Sequence, residues 1–289
     1  MTKLLALITI LFAFAAPSAM AKNDYSCDKK FIFFPGGPEG GPFGTIVYNG
    51  AVAAAEHTGC DVDYYWSQWN SETMIKQFKE AVALRPDGIA IYGFPGDAAM
   101  RPIIEEAREN GIVITTMNTP LPDLEKTYKT DGFGYAGADL FAAGYNLGAK
   151  GVEVCGLVAG DSAFVWGLAS MPNRGERTKG AIKALEDLGV KVVYQEIPDN
   201  VNSDASQGTP MYVATYAANP DIKMAITDHG GLTASLPTYM KAAGHGTEEV
   251  CGAGFDLSAP IVDGINSGYI DVVIDQQPFI QGYMPIVQL

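Results

Sequence analysis

The chain is short of positive charge: 19 Lys and Arg stand against 33 Asp and Glu in 289 residues, for a net charge of −14. No Lys/Arg cluster relieves that balance, so nucleic acid and anionic membrane surfaces are poor partner candidates. Cysteine is scarce at four residues, too few for a small scaffold stapled by disulfides. Of three histidines, none stands at metal-ligand spacing from another His or a Cys, and no metal or other cofactor is expected. GxSxG and HExxH are both missing, and no Cys–His pair has the setting of a nucleophilic couple. Nothing in the sequence therefore argues for an enzyme. Beyond residue 21 no apolar run is long enough to span a bilayer. What the chain does have is 47% hydrophobic and 18% charged residues, enough core for one large or two medium domains. A neutral or weakly polar small molecule is the partner this composition suits.

Residues 1–21 are the exception to the shortage of apolar runs. One cation (Lys3), an apolar run from Leu4 to Ala16 and the ending Pro17-Ser18-Ala19-Met20-Ala21 read as a cleavable export signal, cut after Ala21. Export permits disulfides. Cys27 precedes the strand-like 30–34 and Cys60 precedes 61–65. If these are neighbouring parallel strands joined by one helix, both sulfurs sit at one sheet edge, and a Cys27–Cys60 bridge is expected. Cys155 and Cys251 fall inside apolar runs and read as buried free thiols.

From Lys30 onward, short apolar runs alternate with amphipathic stretches. Strands are expected at 30–34, 61–65, 88–92, 112–116, 153–159, 190–197, 223–227, 250–255 and 270–275. Helices are expected at 43–58, 71–84, 98–110, 140–150, 174–188, 231–243 and 258–267. Gly59, Gly111 and Gly189 follow helix ends, and Pro102 is placed in a first turn. This alternation implies right-handed crossovers and parallel sheets covered on both faces. "TGCDVDYY" (58–65) is echoed by "LGVKVVYQ" (188–195), and "RPDGIAIYG" (85–93) by "NPDIKMAIT" (219–227). The fold class expected is α/β, with two similar doubly wound parallel-sheet domains. Ligands bind such sheets at the carboxyl ends of the strands, so two facing domains would share a site in the cleft.

"GFGYAG" (132–137) matches the dinucleotide fingerprint GxGxxG, but no apolar strand opens into it. It reads as a connection, with Asp139 capping the next helix. "PGGPEGGPFG" (35–44) lacks the Gly-Lys-Ser/Thr of a phosphate loop. More informative is what recurs at strand ends: the aromatics Phe43, Trp66, Trp69, Phe94, Trp166 and Phe255, and the polar Asn70, Asn118, Arg177, Asp228, Asp256 and Gln276. Flat rings cover the C–H faces of a sugar, while fixed amides, carboxylates and guanidinium groups take its hydroxyls.

Those residues carry a resemblance. "GPFGTIVYNGAVAAAEHTG", "SQWNSETMIKQFKEAVALRPDGIAI", "NRGERTKGAIKALEDLG", "AITDHGG", "GFDLS" and "VVIDQQPFIQGY" are similar to segments of periplasmic sugar-binding proteins of the ribose/galactose-binding type. These are substrate-binding components of ABC transporters with the type I periplasmic binding fold. The resemblance implies a hinge between the domains, residues 22–136 plus 277–289 forming one and 137–276 the other. It implies a small saccharide held in the cleft, with Phe43, Phe94 and Trp166 about the ring and Asn118, Arg177, Asp228, Asp256 and Gln276 on its hydroxyls. It further implies a monomer in the periplasm that delivers its cargo to a membrane permease. Departures from the type are visible. Gly41 stands where an Asn is usual, Gly44 replaces a second aromatic, and Asn118-Thr119 replaces Asp followed by a cation. These changes point away from ribose, toward another sugar or a polyol. Autoinducer binding and a role in sensing are the alternative, disfavoured by the absence of Lys from the first loop; an exported sugar-acting enzyme is a more distant one. "PFIQGYMPIVQL" reads as a helix beginning after Pro278, and its ending resembles a truncated form of the family's carboxyl end.

Overall fold

The computed structural model describes residues 27–289; the expected export signal and its cut after Ala21 lie outside the described residues. The first sheet is built from β1 (Lys30–Gly36), β2 (Asp61–Trp66), β3 (Gly88–Tyr92), β4 (Val113–Met117) and β5 (Gly134–Ala136). The second is built from β6 (Ser162–Gly167), β7 (Lys191–Glu196), β8 (Ile222–Thr227), β9 (Cys251–Phe255) and β10 (Val272–Ile274). Their orders are β2-β1-β3-β4-β5 and β10-β9-β8-β6-β7, and every pairing is parallel. Counted from the opposite edge, the second order repeats the first strand for strand, which gives the sequence echoes their structural meaning. Central strands such as "GIAIY" are buried along their whole length because helices cover both faces.

The helices are α1 (Pro42–Thr58), α2 (Ser71–Ala83), α3 (Asp97–Glu109), α4 (Pro122–Tyr128), α5 (Leu140–Val154), α6 (Glu176–Asp187), α7 (Asp199–Ser203), α8 (Thr209–Ala218), α9 (Gly230–Ala242), α10 (Ala259–Asn266) and α11 (Pro278–Gln288). The chain crosses between the sheets after β5 and again after β10. In each case the helix that follows packs on the first helix of the receiving unit. α5 lies against α6, and α11 returns to lie against α1. Both crossings are close because glycine faces backbone. A Cβ at Gly144 would meet the Arg177 carbonyl, and one at Gly282 would meet the carbonyl of Val47. Asp139 does cap α5, accepting a bond from the Ala142 amide at 2.9 Å. No helix among the described residues is long and apolar enough to cross a membrane.

Four expectations need correction. The run 153–159 is not a strand: α5 continues to Val154, and a turn through Gly156 and Gly160, both at positive φ, follows it. Within that run only Leu157 is buried, while Val154 and Val158 are exposed, so the apolar content there does not mark a buried strand. The real strand is β6, whose Phe164 and Trp166 face one core cluster while Ala163 and Val165 face the other. Pro102 lies inside α3, which starts at Asp97, rather than in its first turn. Cys155 and Cys251 are not free thiols; they form a disulfide with Cα atoms 5.9 Å apart. The turn after α5 brings Cys155 beside the first residue of β9. The Cys27–Cys60 bridge is present as expected, Cα to Cα 4.6 Å. Finally, the elements not signalled by apolar spacing are α4, α7 and α8, of which the first two are 7 and 5 residues long and α8 buries Tyr212, Thr215 and Tyr216, and β5, a three-residue strand paired with β4 inside the segment 132–137 read as a connection.

Candidate functional site

The carboxyl ends of both sheets open onto one cavity of about 370 Å³, within the range of small-molecule sites. Elements of both units line it. From the first come the turn after β1 and the start of α1, with Phe43; the turn after β2, with Trp69; Phe94 after β3; and Asn118 after β4. From the second come Arg174 and Arg177 after β6, the 202–206 segment after β7, His229 after β8, Asp256 after β9 and Gln276 after β10.

Asn118 and Asp256 occupy equivalent places, each directly after the fourth strand of its unit. Both adopt left-handed backbone, φ 59° and 77°, which turns the side chain off the strand direction. Asn and Asp are the non-glycine residues that best tolerate this region, and such strain gathers at binding sites.

One hydrogen-bonded network runs across the floor of the cavity. Asn118 Nδ2 donates to Gln276 Oε1 at 2.9 Å and to Gln281 Oε1 at 3.0 Å. Arg177 Nη1 donates to the same Gln276 oxygen at 3.0 Å, and Gln276 Nε2 donates to Asp256 Oδ1 at 2.7 Å. The other Asp256 oxygen accepts from the Gly230 amide at 3.0 Å. Gln276 thus joins the two units at the second crossing. Behind it Asp228 accepts two bonds from Arg174 Nη1 at 3.1 Å, one from Arg177 Nε at 3.0 Å and one from Thr178 at 2.8 Å.

Burial sets the charges. Desolvation raises the Asp256 carboxyl to about 6, against a partial offset from Arg177 and the Gln276 bond. Burial lowers Arg177 to about 10; its guanidinium lies over the Phe255 ring, 4.2 Å from the centroid. Burial alone would raise Asp228, but Arg174 and Arg177 hold it below its ordinary value. His229 caps α9, its Nδ1 accepting from the Leu232 amide at 3.4 Å. Burial lowers it to about 3, so the ring is neutral, and its Nε2 is buried without a protein partner.

Of the residues expected from the sequence, Phe43, Phe94, Asn118, Arg177, Asp256 and Gln276 line the cavity together. Two do not. Trp166 is fully buried in the second core, against Phe164 and Tyr239, on the face of β6 that α8 and α9 cover. Asp228 is 3% exposed and saturated by arginine and Thr178; it orients the guanidiniums rather than lining the space. Trp69, Arg174 and His229 line the cavity without having been assigned to it. The glycines of the first loop are the signal for Trp69: a Cβ at Gly36 or Gly37 would overlap its ring. Arg174 lies within "NRGERTKG", three residues before Arg177, in the turn that leads into α6.

The profile of the periplasmic binding protein domain matches residues 32–289. The chain belongs to this family. A curated relative, the xylose/arabinose-binding protein XylF from Sulfolobus acidocaldarius, is 24% identical over 242 residues, 79% of this chain and 58% of that protein. The chain therefore spans little more than half the length of that relative. Solved structures show the same fold at low identity. GanP, a glucose-galactose binding protein from Geobacillus stearothermophilus, superposes with a TM-score of 0.76 at 21% identity, covering 90% of this chain and 89% of its own. A carbohydrate transporter solute-binding protein from Agrobacterium radiobacter, in complex with D-arabinose, gives 0.76 at 19% identity, covering 90% and 86%. The fold is that of the type I periplasmic binding proteins, as the resemblance implied.

Proposed function

We propose that the protein is the solute-binding component of a sugar ABC transporter, capturing a small saccharide reversibly in the cleft between its two units. The observation that carries this reading is the cavity itself. Three aromatic rings and a polar floor of Asn118, Arg177, Asp256 and Gln276 meet at the carboxyl ends of two sheets, beside the chain crossings. The relatives named for xylose, arabinose, glucose and galactose support the cargo class. The moving bodies among the described residues are 27–136 with 277–289, and 137–276; closure about the two crossings encloses the ligand. Family membership supports a periplasmic or extracellular location, and the −14 charge supports the absence of nucleic acid as a partner. The closed monomer delivers its cargo to a membrane permease. No step of this requires covalent chemistry.

Isothermal titration with pentoses, hexoses and polyols tests the reading. One class should bind one to one, be recovered chemically unchanged, and shrink the radius of gyration in solution scattering. Conversion of the sugar during incubation, or binding without contraction, would contradict it.

A further inference from the structure

The cavity is two-sided. The first unit faces it with Pro38, Pro42, Phe43, Trp69, Phe94 and three glycines, and its only other lining residue is Asn118. Neither N–H of the Asn118 amide is spare, since Nδ2 already serves Gln276 and Gln281. No charged or hydroxyl-bearing side chain comes from this side, where the Trp69 indole N–H is the one unengaged side-chain donor. The second unit supplies the rest: Arg174, Arg177, Asp204, Ser235, Asp256 and Gln276 among others.

The rings are also one-sided. With Trp166 in the core and Phe255 beneath Arg177, no Phe, Tyr or Trp of the second unit reaches the cavity, and its one ring there is the His229 imidazole. Nor do the three first-unit rings form a parallel slot for a flat pyranose. Phe43 and Trp69 are inclined by 47°, and Trp69 and Phe94 by 45°. They form a concave apolar cup. A hydroxyl pressed against the Phe43 and Phe94 rings would lose water and gain no side-chain partner apart from the Trp69 indole N–H, whereas a methyl or methylene would be buried favourably.

We infer that the ligand carries its hydroxyls along one edge and is hydroxyl-free along the other, as in a 6-deoxyhexose. This rests on the saccharide reading of the cleft and specifies its substrate class. The polar edge lies on Arg177, Asp256 and Gln276, and the deoxy edge lies in the cup of Phe43, Trp69 and Phe94.

The test is titration of the purified chain with sugars that differ by one hydroxyl: D-glucose against 6-deoxy-D-glucose, D-galactose against 6-deoxy-D-galactose, L-mannose against L-rhamnose, and L-galactose against L-fucose. The deoxy member of at least one pair should bind about tenfold more tightly than its parent, the scale of one buried hydroxyl left unpaired, and no parent should bind more tightly than its deoxy partner. Equal or tighter binding of the parents overturns the inference and leaves the saccharide reading standing. Binding confined to a pentose or polyol has the same consequence. If no saccharide binds at all, both fall.

Discussion

Asp256 shows how a single residue can hold two roles in conflict. The proposed binding role needs it as an acceptor, but burial pushes its carboxyl up to about 6. Its folded-state value exceeds its ordinary one of 3.8, so this group favours the folded state most at low pH. That contribution is lost as pH rises from about 4 to about 6. Asp256→Asn does not titrate. Whatever its fixed offset, its stability should therefore gain on wild type by roughly 2–3 kcal/mol between pH 4 and 6.5, by denaturant melts. A difference that stays flat with pH would contradict the assignment. Ligand affinity should move the opposite way in the wild type, strengthening as pH rises through about 6 and the carboxylate forms. Trp166 carries the complementary prediction. Since it belongs to the core, Trp166→Phe should cost about 1–3 kcal/mol of stability while leaving ligand affinity within about twofold. A large loss of affinity at unchanged stability would return it to the site.

At the scale of elements, the two glycine-backed helix crossings are the most exacting contacts. Alanine normally improves on glycine within a helix by up to about 1 kcal/mol. Gly282→Ala in α11 should instead lower stability by about 1–3 kcal/mol, because its Cβ meets the Val47 carbonyl and the Ala51 amide, both backbone atoms that cannot turn aside. A thermal midpoint at or above wild type would show that α11 does not pack so closely. Elements were legible where local chemistry dominates. Gly59 and Gly189 end their helices in left-handed backbone, φ 74° at each, and Asp139 caps α5. Strand ends gave most of the site, because parallel topology sends whatever follows each strand into the cleft. Failures came where tertiary placement decides. The apolar run 153–159 takes the place of β6 in the sequence pattern, and with the strand set there Trp166 reads as a residue beyond a strand end rather than as one inside β6. Cys155 and Cys251, 96 residues apart, could be paired only after the end of α5 had been located beside β9.

The whole molecule is held across the cleft by few groups. Gln276 links Asn118 of the first unit to Arg177 and Asp256 of the second. Farther out, Asn173 reaches from the second unit to the first, its Nδ2 donating to Asp97 Oδ2 at 2.9 Å and to the Pro120 carbonyl at 3.1 Å. Asn173 does not line the cavity, so its substitution tests closure rather than ligand contact. Asn173→Ala should enlarge the ligand-free protein in solution scattering and weaken saccharide binding by about twofold to tenfold, the range of one or two hydrogen bonds. Unchanged dimensions and affinity would show that these bonds do not bias closure.

A thermal-shift screen of the purified chain against pentoses, hexoses, deoxyhexoses, amino sugars and polyols shows whether a saccharide binds this cleft. A ligand present at 1,000 times its dissociation constant adds about 4 kcal/mol, a rise of several degrees for a protein of this size. Such a rise is expected for one narrow group of sugars and should be abolished in Asp256→Ala. A cooperative melt that no saccharide moves would contradict the saccharide reading.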